Sequence, residues 1–426
     1  MQTVVPAQSK TKQNYALPLA IIGVLFFLFG FITWTNSVLI PYLKLACELN
    51  TSESYLVTFA FYISYFVMAL PSGWVLQKTG FKKGMILGLL VMCIGMLVFI
   101  PAALTRTYSV FLLGLFIVGS GLAVLQTASN PYITVLGPIE SAAQRISIMG
   151  ICNKLAGTLS PLLLGSIFMK DTDKLEAQIK TLSEAAKAAQ LDELAQRVIV
   201  PYSIMAAALV GLAMMVYFSH LPEVSQSDDT EDKATETTST RSSVLSFPNL
   251  VLGFIALFLY VGVEVIAGDT IAGYGQFWGY KLSEASKLPA YPLGGMVIGY
   301  IAGILLIPKY LTQNKALVIS AVSGLIFAIG ALFTRGDLSI YLLAGLGLAN
   351  ALIWPAIWPL ALNKLGSFTA LGSSILVMGI AGGAILPLLY GQLTDKLNAQ
   401  QAYWLVIPCY LFILYYALAG HKKKSW

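Results

Sequence analysis

Charge is what this chain has least of. Asp, Glu, Lys and Arg make up 11% of its 426 residues, against about 25% in soluble domains, which excludes an ordinary water-soluble fold. Histidine is nearly absent. His220 and His421 are the only 2 copies, and both lie at the ends of apolar stretches, so a histidine proton relay is excluded. The 4 cysteines, Cys47, Cys93, Cys152 and Cys409, are scattered with no ligand spacing. That pattern excludes a metal centre and a disulfide framework and reads as small buried hydrophobes. The sequence has no nucleotide-cradling loop and no nucleophile beside a histidine, so an enzyme is not expected. The net charge of +6 is spread over many loops rather than gathered in a patch. Nucleic acid is therefore not an expected partner.

What is present is apolar length. The chain is 57% hydrophobic. Twelve apolar runs lie near 16–43, 54–77, 83–104, 108–136, 142–169, 199–220, 247–279, 291–311, 315–334, 338–363, 367–394 and 401–420. Each is long enough to cross a hydrocarbon core of about 30 Å. These runs predict an all-α integral membrane protein with twelve transmembrane helices. The first follows a polar leader with Lys10 and Lys12. It is too long for a signal-peptide core and no small-residue cleavage site follows, so it is expected to remain as a span.

Six runs precede residue 221 and six follow residue 246. The stretch between them is acidic and rich in Ser and Thr, which predicts a flexible linker. The expected organisation is an N-terminal six-helix bundle over 1–220, a cytoplasmic linker over 221–246 and a C-terminal six-helix bundle over 247–426. Ala, Leu, Glu and Lys at helical spacing in about 170–198 predict one or two helices outside the membrane. With that long loop set aside, Lys and Arg divide fourteen to six between alternate loops. This bias puts both termini in the cytoplasm, and a bacterial inner membrane is the expected location. A monomer bathed in membrane lipid is expected.

The halves echo one another. Gly157, Pro161 and Gly165 in the fifth run match Gly383, Pro387 and Gly391 in the eleventh, with Leu162 and Leu163 echoed by Leu388 and Leu389. A six-plus-six duplication fits this pattern, and small residues four apart also let helices approach closely. Residues 73–83, GWVLQKTGFKK, resemble the signature of the major facilitator superfamily, with Gln77 where an acidic residue is usual. Five further stretches are similar to the fucose permease and glucose/galactose transporter family of sugar symporters. They are NSVLIPYLK (36–44), GLAVLQTASNPYITVLGP (121–138), RISIMGICNKLAG (145–157), LIWPAIWPLALNKLG (352–366) and GSSILVMGIAGGAILP (372–387).

The resemblance implies the major facilitator fold, two six-helix bundles with a site between them. It implies uptake of a monosaccharide such as glucose, galactose or fucose by alternating access, with sodium or a proton co-transported and no other cofactor. A facilitative sugar uniporter and an antiporter of another small solute are the alternatives. Fucose permease has an aspartate after an asparagine in helix one and a glutamate in helix four. The matching positions here hold Ser37 and Gln126. With both acids missing and many neutral oxygens present, the reading tilts towards sodium.

Three charges interrupt the apolar runs: Lys154, Glu264 and Asp269. A charge at the centre of a membrane helix costs about 2.5–3.5 kcal/mol on insertion scales. Each must be offset by a partner, a ligand or water, and they are the candidates for cation coupling. Lys154 and Glu264 sit at similar depth and are expected to pair. Either a cation competes with Lys154 for the carboxylate or the pair is a static lock. Asp269 stands five residues beyond Glu264, on another face, and is either part of the coupling or merely solvated near the outer mouth.

A sugar needs hydroxyl partners and an aromatic face. The polar candidates are Thr33, Asn36 and Ser37 on one helix face, then Gln126, Asn130, Asn153 and Asn350, since amides both donate and accept. Trp354 and Trp358 suggest a stacking platform, with Trp34 a lesser candidate. Gln276 is placed for a gate, and Gly268, Gly273 and Gly275 mark a bending point nearby. For all of these, helix-to-helix bonding or plain packing is the alternative.

Overall fold

In lipid a backbone can satisfy its polar groups only within itself, which leaves helices and closed barrels. A computed structural model describes residues 16–135, 142–179, 181–219, 243–307, 310–363, 365 and 368–423. All regular structure among the described residues is helical. Span one is Ala16–Ala46. Spans two and three form one run, Leu56–Thr105, with a non-helical break at Gly80 (φ 75°, ψ 172°). An unbroken helix of that length would reach about 75 Å, far beyond any bilayer core. Gly80 supplies the left-handed turn that folds it into two crossings, so eleven long apolar helices make twelve spans.

Spans four, five and six are Tyr108–Val135, Ala142–Phe168 and Ile199–Phe218. Two short helices, Thr172–Ile179 and Glu184–Gln196, occupy the gap before span six. The second set begins with span seven, Pro248–Asp269 continued by Ile271–Phe277. Span eight is Ala290–Leu306 and span nine Gln313–Phe333. Span ten is Gly336–Asn350 plus Ile353–Leu362. Span eleven is Thr369–Met378, a 3-10 turn, and Gly382–Lys396; span twelve closes with Val406–Leu418. Most of the expected linker, residues 221–242, lies outside the described residues.

Three spans are interrupted, two of them where no break is expected from the sequence. Span ten breaks at Ala351 and Leu352, where the ring of Pro355 blocks the carbonyl four residues back. Span eleven tightens to a 3-10 turn over Gly379–Ala381, beside the Gly382 and Gly383 pair. Span seven breaks at Thr270, within the glycine-rich stretch expected to bend.

The loops after odd-numbered spans gather at one end, opposite the first and last described residues, Ala16 and Lys423, and this end is called termini-distal. Lys187 pairs with Glu48, and Arg106 Nε lies 3.2 Å from Asp192. The Tyr280 hydroxyl donates to Asp337 at 2.9 Å, and Gln400 donates to the Thr334 carbonyl at 2.7 Å.

At this same end the two sets of six are fastened to each other, twice and reciprocally. Asp395, near the end of span eleven, accepts the backbone N–H of Ser52 at 2.8 Å and also its hydroxyl. Asp173, just after span five, accepts the backbone N–H of Ser283 at 3.1 Å and also its hydroxyl. Ser52 and Ser283 lie in the short helices Thr51–Ser54 and Leu282–Ala285, which follow spans one and seven. Tyr55 and Tyr390 cross edge to face beside the first fastening, with centroids 5.8 Å apart.

The repeated glycines serve the same seam. A Cβ at Gly165 would stand 3.1 Å from the Ser286 hydroxyl, and one at Gly383 3.1 Å from the Tyr62 ring. One at Gly391 would meet Tyr55 at 2.6 Å. Each of these glycines faces the opposite half.

Candidate functional site

Span five carries Lys154 and span seven carries Glu264, and across the seam the ammonium pairs with Glu264 Oε1. Their side chains are 12% and 9% exposed. Breaking such a buried pair by removing one member typically costs 3–5 kcal/mol, because the survivor is left charged and unmatched. Lys154 Nζ also stands 5.0 Å from the centroid of the Trp34 ring, within cation–π range.

Trp34 is the residue whose importance the sequence concealed. It is 2% exposed and packs with Leu293, Met296 and Ala351 of the second set. It is also held between two glycines, Gly157 of span five and Gly268 of span seven, each of which would place a Cβ into the indole ring. Gly268→Ala is therefore expected to destabilise the protein by about 1–3 kcal/mol through overpacking, read as a lower melting temperature in detergent. An unchanged melting temperature would mean that Trp34 is free to move.

Aromatic hydroxyls surround the pair. Tyr260, Tyr300 and Tyr410 from the second set and Tyr62 from the first lie within electrostatic range of Glu264. Tyr260 stands one turn before Glu264 on the same helix, a spacing visible in the sequence. Its ring lies 6.4 Å from Trp354, which stacks on Trp358 at 5.4 Å and 21°. Both tryptophans are half-buried.

The polar candidates divide into three groups. Asn36 is 1% exposed and its Nδ2 has no partner. Asn350 is fully buried; its Oδ1 accepts from the Tyr410 hydroxyl at 2.8 Å and its Nδ2 is unpartnered. Thr33 and Gln126 are half-buried. In the second group the side chains are engaged within the helix bundle. Ser37 donates to the Trp34 carbonyl at 2.7 Å, and Asn153 Nδ2 reaches the Phe26 carbonyl at 3.4 Å. Thr35, not singled out from sequence, lies 3.1 Å from Ser160 and links spans one and five. The third group lies elsewhere. Gln276 lines a cleft at the termini-distal face with Lys44, Tyr55, Glu176 and Tyr390, away from the ion pair. The side chain of Asn130 lies outside the described residues.

Asp269 is not solvated. It is 1% exposed, its Oδ2 accepts from Thr58 of span two at 3.3 Å, and its Oδ1 has no partner. Among the described residues no ion pair includes it. The three charges thus occupy two different environments: one matched pair and one lone acid. Among the described residues no group of His, Cys, Asp and Glu is placed to hold a metal ion.

Similarity to known proteins agrees with this architecture. The model of the Major Facilitator Superfamily matches residues 22–376. A glucose/galactose transporter of Brucella abortus is 34% identical over 419 residues, covering 98% of this chain and 97% of the relative. The crystal structure of the Escherichia coli fucose:proton symporter is 26% identical and superposes with a TM-score of 0.72, covering 95% of this chain and 98% of that one. A second structure of that symporter, in the outward conformation, gives 27% identity and a TM-score of 0.72 over the same shares.

Proposed function

Because the chain belongs to the major facilitator superfamily, a family of transporters and not of enzymes, we propose that it takes up a monosaccharide together with sodium or a proton by alternating access. The sugars in view are glucose, galactose and fucose, the substrates named for its relatives. The proposed location is a bacterial inner membrane with both termini in the cytoplasm, supported by the fourteen-to-six division of basic residues. The proposed moving bodies are residues 1–220 and 247–426, joined by a cytoplasmic linker over 221–246.

The observation that carries this reading is the buried Lys154–Glu264 pair bridging the two sets of spans beside Trp34. An ion pair at a moving seam must be remade in each cycle, so its strength can be set against a bound ion. The substrate site proposed here lies around it. Trp354 and Trp358 offer an aromatic face, and the unpartnered amide nitrogens of Asn36 and Asn350, with Gln126 and Thr33, offer bonds to sugar hydroxyls. Ser37, Asn153 and Asn130 are proposed to support this site, and Gln276 to gate it.

The test is uptake of labelled glucose, galactose and fucose into proteoliposomes under an imposed sodium or proton gradient. Accumulation above equilibrium with one of these gradients is the expected result. Equilibration without accumulation would make the protein a uniporter, and no flux of any of the three would overturn the substrate. Within that assay, Trp354→Ala should raise the KM about tenfold, the loss of about 1.4 kcal/mol of sugar contact. An unchanged KM would remove the platform from the site.

A further inference from the structure

We infer that Asp269 is the group that carries the co-transported ion, as a proton, and that its protonation is the condition for closing the termini-distal end of the carrier. This inference rests on the symport reading above and deepens it, by separating the two buried carboxyls.

Lys154 balances the charge of Glu264 across the seam. Asp269 has no such balance. Its one bond is the hydroxyl of Thr58, and its second oxygen has none. It stands between the end of the helix Pro248–Asp269 and the start of Ile271–Phe277, so opposed helix ends flank it and neither balances its charge. An isolated ionised acid taken out of water takes up a proton instead.

Among the described residues no positive side chain pairs with it. Span two presents Tyr55 and Tyr62, both within its electrostatic reach. Span eleven presents Tyr390, packed on Tyr55, and span twelve presents Tyr403, whose hydroxyl lies 2.6 Å from Thr270. Span one presents Trp34 against Gly268. On span eight Tyr300, and on span twelve Tyr410, stand at the level of Glu264. The nearest cation at the termini-distal end of span one, Lys44, donates to Thr51 at 2.9 Å, and Asp395 is bound to Ser52.

Asp269 and Thr58 belong to opposite halves, so they part when the termini-distal end opens. The carboxylate then accepts a proton from a hydronium ion on that side: one O–H bond forms at Asp269 as one breaks in the hydronium, which leaves as water. The neutral acid can be buried as Tyr55 meets Tyr390 and Ser52 meets Asp395. When the other end opens, the proton leaves to water there and the carboxylate returns. Closure around an ionised Asp269 is penalised, which ties each closure to one proton.

Two readouts test this. Infrared spectra of the purified full-length protein near neutral pH should contain the C=O stretch of a protonated carboxyl. Asp269→Asn should remove that band and Glu264→Gln should leave it. In proteoliposomes Asp269→Asn should still exchange labelled for unlabelled sugar but lose all proton-driven accumulation. Should Asp269→Asn fail to fold, Asp269→Glu serves instead, with the band shifted in frequency rather than lost. A band that survives Asp269→Asn, or full proton-driven accumulation by that variant, overturns the inference. So does accumulation by the unaltered protein with sodium alone. If the unaltered protein moves none of the sugars, the spectra still decide the state of Asp269, so failure of the substrate reading is told apart from failure of this one.

Discussion

Glu264→Gln is expected to abolish sugar accumulation and to lower stability by about 3–5 kcal/mol, since it leaves Lys154 buried, charged and unpaired. Lys154→Met should do the same from the other side, exposing Glu264 to the same desolvation without its counter-charge. The informative variant is the double replacement, Lys154→Met with Glu264→Leu. Well-packed apolar residues in place of a buried ion pair are often neutral, or stabilising by about 1–4 kcal/mol. The double variant should therefore recover a melting temperature near that of the unaltered protein, followed by tryptophan fluorescence in detergent. It should not recover accumulation, because the seam then lacks the polar contact that is broken and remade in each cycle. Recovery of both would reduce the pair to a static lock between the halves. Recovery of neither would mean that the pair also fixes the position of Trp34, which lies 5.0 Å from the ammonium.

The second large effect concerns the reciprocal fastenings at the termini-distal end. Replacing both Asp173 and Asp395 by Ala removes a carboxylate that accepts two bonds at each place. Hydrogen bonds to charged groups contribute about 1.5–3 kcal/mol, and these lie partly in solvent, so about 1 kcal/mol at each place is the appropriate figure. The sum of about 2 kcal/mol corresponds to about a thirtyfold shift of the opening equilibrium. It should be read at Gln276, which lines the cleft beneath. With the four native cysteines replaced, Gln276→Cys should react with a membrane-impermeant maleimide about thirtyfold faster when both aspartates are gone, by the same conversion. Each single replacement should give about fivefold. An unchanged labelling rate would show that the glycine-lined seam alone holds this end shut.

Much of the fold was legible because apolar length in a membrane protein leaves few choices. Runs of about 20 apolar residues separated by charged loops become crossings, and Gly80 marks the turn between spans two and three. The pairing of Lys154 with Glu264 was legible from depth, since two opposite charges at one level in lipid have strong reason to meet. Pro355 was in plain view, yet its consequence, the break at Ala351 and Leu352, depended on which carbonyl its ring would meet.

The substrate site was harder to read. Ser37 and Asn36 are adjacent, but one hydroxyl turns back onto its own helix while the other side chain keeps a free amide. A Ser bond to the preceding turn is a local option that competes with any ligand. Trp34 was underrated because its holders, Gly157 and Gly268, come from two other spans, and glycine spacing does not announce what fills the space. Nothing in the sequence singles out Asp173 or Asp395; it is the fold that sets each against a serine from the far half.

Those two acids also say something about how the molecule is put together. Exchange the halves and each fastening becomes the other: an acid at the end of span eleven or just past span five grips the short helix following span one or seven. The match is one of place rather than register, for Asp173 lies eight residues past Gly165 and Asp395 four past Gly391. This is the contact pattern of a two-fold dimer, in which each subunit gives what it receives, retained within a single polypeptide. Two separate polypeptides, cut within residues 221–246, would between them still hold every donor and acceptor that these two grips require.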